Sequence, residues 1–102
     1  MLMTERKPVS VGEMLREEFM EPLGLTQGQL ADAMGVQRKH VNELCTDRRG
    51  ITADTALMLA RVFGNGADFW LNLQRRNDLW QALHDPTRRQ RIERAKPIER
   101  AA

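Results

Sequence analysis

The 102-residue sequence predicts an all-α fold, five helices followed by a short basic tail. Three observations carry that prediction. Strand signals are nearly absent: there is no tyrosine, few β-branched runs and no sustained apolar–polar alternation. Helix punctuation, by contrast, recurs along the chain. Hydrophobic residues make up 41% but aromatic ones only 5%, so the core is to be built mainly from Leu, Met, Val and Ala.

The elements follow in order. Ser10 and Glu13 match a capping box, and Val9 and Met14 sit at staple positions. A first helix should therefore run from Val11 to about Met20 and stop near Pro22–Gly24. Thr26 with Gln29, and Leu25 with Leu30, repeat the pattern and start a second, short helix over Gln27 to Met34. Gly35 can take the left-handed conformation that ends it. A third helix begins near Gln37 and ends around Cys45–Thr46, before the polar stretch Asp47-Arg48-Arg49-Gly50. Thr52 caps a fourth, whose Ala56, Leu57, Leu59, Ala60 and Phe63 fit a 3.6-residue period. Gly64-Asn65-Gly66 breaks it. A longer fifth helix is expected from about Ala67 to His84, and Asp85-Pro86 starts one more short helical stretch before Lys96-Pro97. Residues 1–8 form an N-terminal arm, 9–84 the helical domain and 85–102 the tail.

Composition excludes several classes. A domain of this size buries roughly 60–65% of the surface of its unfolded chain, enough to fold alone. One cysteine excludes an internal disulfide framework. The lone Cys45 with His40 and His84 argues against a structural zinc site, and no cofactor motif is present. His40 and Cys45, five residues apart on a helix, lie about 140° apart and so do not form a nucleophile–base pair. Cys45 reads instead as a small filler at a helix end. No catalytic constellation is present, and an enzyme is not expected. No apolar run reaches the ~18 residues of a membrane span, and the start lacks a secretory signal. A small cytoplasmic protein is expected. The net charge of +2 is uneven: residues 1–23 carry −2 and residues 84–102 carry +3.

The informative segment is Gln27 to Leu44. A short helix, a glycine turn and a second short helix describe a helix-turn-helix. Ala31 is small where the helices touch, and Leu30, Val36, Val41 and Leu44 point inward. The other positions of the second helix are polar: Gln37, Arg38, Lys39, His40, Asn42 and Glu43. Extended donors at the N-terminal end of a helix suit reading base edges in a major groove. Arg38 and Lys39 match guanine O6 and N7, and Asn42 matches adenine. Two roles are open to Glu43, accepting from cytosine or neutralising a nearby arginine. Two are open to His40, contacting DNA or packing beside the loop. Gln27 starts the preceding helix, where side chain and backbone can meet a phosphate. Arg48, Arg49 and Thr52 flank the reading helix as backbone clamps.

Three runs make the resemblance specific: Val9-Ser-Val-Gly-Glu-Met-Leu15, Leu25-Thr-Gln-Gly-Gln-Leu-Ala31 and Phe69-Trp-Leu-Asn-Leu-Gln74. Together they resemble the HigA-type antitoxins of the phage-repressor-like helix-turn-helix superfamily, over about residues 9–84. Gln37 departs from the usual Ser or Thr cap, and Gly66-Ala67 from the usual Ser-Pro start. The resemblance implies a homodimer that binds double-stranded operator DNA, represses its own operon and neutralises a HigB-type messenger-RNA interferase toxin. The alternative is a stand-alone helix-turn-helix regulator without a toxin. The apolar surface of the fifth helix, Phe69, Trp70, Leu73, Trp80 and Leu83, is assigned to the dimer interface. The acidic first helix (Glu13, Glu17, Glu18, Glu21) and the basic tail (Arg88, Arg89, Arg91, Arg94) are each open to partner contact or to solvation.

Overall fold

A computed structural model describes residues 6–99, so the first five residues of the arm and the last three of the tail lie outside the described residues. Among the described residues there are six helices and no strand. The first, α1, is continuous but has three segments: α-helical Val11–Met14, π-helical Leu15–Met20 and α-helical Glu21–Leu23. It thus continues past Met20 and through Pro22. Proline has no N–H to give, and its ring clashes with the carbonyl four residues back in a regular helix. The wider i→i+5 spacing upstream absorbs that conflict, with Glu21 N–H reaching Arg16 O. Gly24, at φ 64°, ends the helix.

The next helices fall where local chemistry puts them. Helix α2 is Gln27–Met34, with the full reciprocal capping box between Thr26 and Gln29 and a left-handed Gly35 at its end. Helix α3 is Arg38–Cys45. Helix α4 is Ala53–Phe63, capped by the Thr52 hydroxyl accepting from Thr55 N–H. Helix α5 is Ala67–His84. The tail contributes α6, Pro86–Glu93, whose cap Asp85 accepts from Thr87 and Arg88 N–H.

At the two places where the sequence departs from the family's usual caps, Gln37 and Gly66, the helix starts have no side-chain cap. Both helices nevertheless begin there, because tertiary packing rather than the cap supplies most of their stability.

The core is one apolar cluster. Leu15 of α1, Leu30 of α2, Val41 and Leu44 of α3, Leu59 of α4 and Trp70 of α5 are all fully buried in it. Helix α2 packs on α3 and α4, α4 packs on α5, and α1 crosses α3 and α5. Phe19, Phe63, Phe69 and Trp70 form an aromatic group beside this core, with Phe19 and Trp70 centroids 4.8 Å apart. The few rings are thus concentrated at one junction of α1, α4 and α5, and Trp70 Nε1 donates to Asn65 Oδ1 at 3.1 Å.

Candidate nucleic-acid interface

Helices α2 and α3 are held by residues between them. Leu30, Ala31 and Met34 of α2, and Val41, Leu44 and Cys45 of α3, are buried. What α3 leaves outside is the polar set: Arg38, Lys39 and Asn42 are exposed, as is Gln37 at its start, and Arg38 and Asn42 lie one turn apart on one side. Asn42 Nδ2 donates to Gln27 Oε1 at 3.3 Å, so the first residue of α2 and the reading face of α3 meet. This end of α3 presents a guanidinium, an ammonium and an amide to solvent.

The remaining expected site residues have partners or places of their own. Arg49 donates through both Nε and Nη2 to Glu43 Oε1, at 3.0 and 2.8 Å. That hydrogen bond holds the Glu43 carboxyl below its usual value. Of the two roles open to Glu43, the structure occupies the neutralising one. His40 is half-buried beside the loop, its Nε2 buried and without a hydrogen-bond partner. Burial first, then the Arg49 charge, lowers its pKa and favours the neutral ring. Thr52 is exposed, with its hydroxyl capping α4. Arg48 is exposed in the loop between α3 and α4.

The five residues assigned to a dimer interface divide. Trp70 is 0% exposed and Leu73 is buried, both within the protomer's own core. A side chain with no free surface has none to offer a second protomer. Phe69 is 40% exposed but also packs edge-on against Trp70. Trp80 and Leu83 are half-buried, and Leu79, absent from the expected set, is 41% exposed.

Several residues that shape the site gave no local signal in the sequence. Asp47 accepts from Gly12 N–H and from the Ser10 hydroxyl, each at 2.8 Å. Arg16 Nη1 donates to Cys45 O at 2.7 Å. Gln74 Oε1 accepts from Ile51 N–H at 2.9 Å, and the buried Asn77 donates to Val9 O at 2.8 Å. These contacts span 23 to 68 residues of sequence, and only their long-range pairing would have revealed them. Cys45 is buried against Met20, with Sγ 3.7 Å from Sδ, and burial raises its thiol pKa. Its place is that of a core filler.

Two short helices joined at a left-handed glycine, the second with a buried inner face and a basic outer one, define a helix-turn-helix protein. Residues 17–70 match the family model described as Helix-turn-helix. Antitoxin HigA-1 of Vibrio cholerae is 52% identical over 77 residues, covering 76% of this chain and 72% of that one. The solved structure of Pseudomonas aeruginosa antitoxin HigA with the higBA promoter superposes with a TM-score of 0.81 at 35% identity, covering 90% of this chain and 99% of that one. Antitoxin GraA in complex with its operator gives 0.85 at 34% identity, covering 98% and 100%. The chain belongs to the HigA-type antitoxins of the helix-turn-helix family.

No described helix is long and apolar enough to cross a membrane.

Proposed function

We propose that this chain is a sequence-specific DNA-binding antitoxin that represses its own operon and neutralises a HigB-type messenger-RNA interferase. The observation that carries the DNA reading is the exposed row Arg38, Lys39 and Asn42 on a helix whose opposite face is locked into the core. In this reading Arg38 and Lys39 donate to guanine and Asn42, oriented by Gln27, pairs with adenine. Gln37 lies at the helix start against the groove edge, Arg48 and Arg49 meet phosphates, and Thr52 approaches the backbone beside them. Glu43 acts by holding Arg49, and His40 supports the loop from within.

One helix-turn-helix covers one half-site, and two-fold dimers read half-sites one helical turn apart. We assign the dimer contact to the outer surface of α5, Phe69, Leu79, Trp80 and Leu83. The toxin partner rests on family membership, supported by the antitoxin names of the relatives.

The test is fluorescence anisotropy with DNA from upstream of the protein's own operon, against a scrambled duplex, at two salt concentrations. Specific binding that disappears in Arg38→Ala/Lys39→Ala supports operator reading; equal, weak binding to both duplexes removes it. Co-expression with the product of a neighbouring upstream reading frame tests the toxin. Copurification together with rescue of growth supports neutralisation. Without either, the chain is a stand-alone regulator.

A further inference from the structure

The turn that ends the reading helix has an unusual occupant. Asp47 N–H bonds Leu44 O at 3.3 Å, and Arg48 N–H bonds Glu43 O at 2.8 Å. That is the Schellman pair, with Asp47 at the left-handed position, φ 59°. Glycine is the usual residue there, because a side chain in that conformation is strained. Among the described residues, every other positive-φ position is a glycine: Gly24, Gly35 and Gly64. Helix termination alone therefore does not explain an aspartate at 47.

Its carboxylate does. Oδ1 accepts from the backbone of Gly12 and Oδ2 from the Ser10 hydroxyl, at the positively polarised start of α1. From the other side, Gln74 of α5 accepts from Ile51 N–H, so the segment from Asp47 to Ile51 is pinned at both ends. Between those pins stand Arg48 and Arg49, the two loop cations. Gly12 makes the arrangement possible: a Cβ there would lie 2.5 Å from Cys45 O.

We infer that Asp47 is a positioning residue for DNA contact, fixing the Arg48–Arg49 loop relative to α1 rather than touching the duplex. This rests on the operator-reading proposal above. It explains the left-handed aspartate: a glycine in its place would stop the helix equally well but leave that end of the loop without its contact to α1.

Asp47→Gly separates the two jobs, because it keeps the turn and removes the latch. Operator affinity, measured well below the thermal midpoint of the variant, should fall about tenfold, and Arg48→Ala should cost much less in that background than in wild type. Asp47→Asn tolerates the left-handed conformation and keeps an acceptor for Gly12, so it should return affinity to within about threefold of wild type. Ser10→Ala, which removes one of the two latch contacts, should fall between. Wild-type operator affinity in Asp47→Gly, or full additivity with Arg48→Ala, overturns the assignment. Wild-type protein that does not distinguish operator from scrambled DNA removes the operator reading itself, and the positioning role with it. That outcome is visible before any Asp47 variant is measured.

Discussion

Glu43 and Arg49 show how one ion pair changes the meaning of a side chain. A free glutamate on a reading helix would select cytosine or repel phosphate. Bonded to Arg49, it instead restrains a cation beside the DNA-facing surface. Glu43→Gln weakens that restraint. We expect it to raise affinity for operator and scrambled duplex alike and to steepen the salt dependence by about one phosphate contact. Altered base preference at constant non-specific affinity would return Glu43 to base reading. His40 supplies a pH prediction. Its pKa is lowered chiefly by burial, so folding favours the neutral ring. The corresponding stability is fully present above the unfolded value of about 6.5 and is lost as pH falls through the lower folded value. Denaturation midpoints should therefore decline with acidification below about pH 6.5. His40→Asn should flatten the curve in that window, whereas the depressed Glu43 acts only at lower pH.

At the scale of elements, the crossing of α1 over the end of α3 is set by a missing side chain. The Cβ of an alanine at position 12 would lie 2.5 Å from Cys45 O and 2.9 Å from Asp47 Oδ2. The carbonyl is backbone and cannot rotate away, so α1 must lift. Alanine gains about 1 kcal/mol in helix propensity, but overpacking costs about 1–3 kcal/mol, and loosening the Asp47 contacts adds to that. Gly12→Ala should thus lower the thermal midpoint by several degrees, as differential scanning calorimetry would show; a stabilised variant would contradict this crossing. The aromatic junction is the second determinant of element packing. Trp70 is fully buried against Phe19, Phe63 and Phe69. Trp70→Ala should cost about 3–5 kcal/mol whatever the oligomeric state, because its surface belongs to the protomer.

The whole molecule is elongated, 58 × 27 × 22 Å, with a radius of gyration of 17.0 Å. A compact chain of this length would have about 13 Å. At the C-terminal end, α6 packs on α5 and is exposed throughout. Leu79 and Ile92 remain exposed and Trp80 and Leu83 half-covered. Such surface fits association better than solvation. Sedimentation velocity should show a concentration-dependent dimer that Leu79→Glu/Leu83→Glu converts to monomer; an unchanged coefficient would remove α5 from the interface. The basic residues of α6 make a separate prediction. Removing residues 88–102 should weaken operator binding modestly and flatten its dependence on salt, each lost phosphate contact reducing the slope by about 0.9. Unchanged affinity and slope would leave the tail without a role on DNA.

The sequence alone determined the bounds of α2 and α5, the caps at Thr26, Thr52 and Asp85, and the exposed row on α3. Each depends on residues within a turn or two, where hydroxyls, glycine and apolar spacing act locally. Local grammar also located Gly35 and Gly64, since a left-handed stop needs no distant partner. It placed the stop of α1 near Pro22–Gly24, where Gly24 does end it, but carried no sign of the π-segment Leu15–Met20 that precedes the proline. Tertiary structure decided the rest. It placed Trp70 and Leu73 in the core rather than on an interface, because an apolar helix face does not say which body covers it. It gave Glu43 to Arg49, and it made Asp47 a latch to α1. Those assignments depend on groups separated along the chain, which only folding brings within hydrogen-bonding distance.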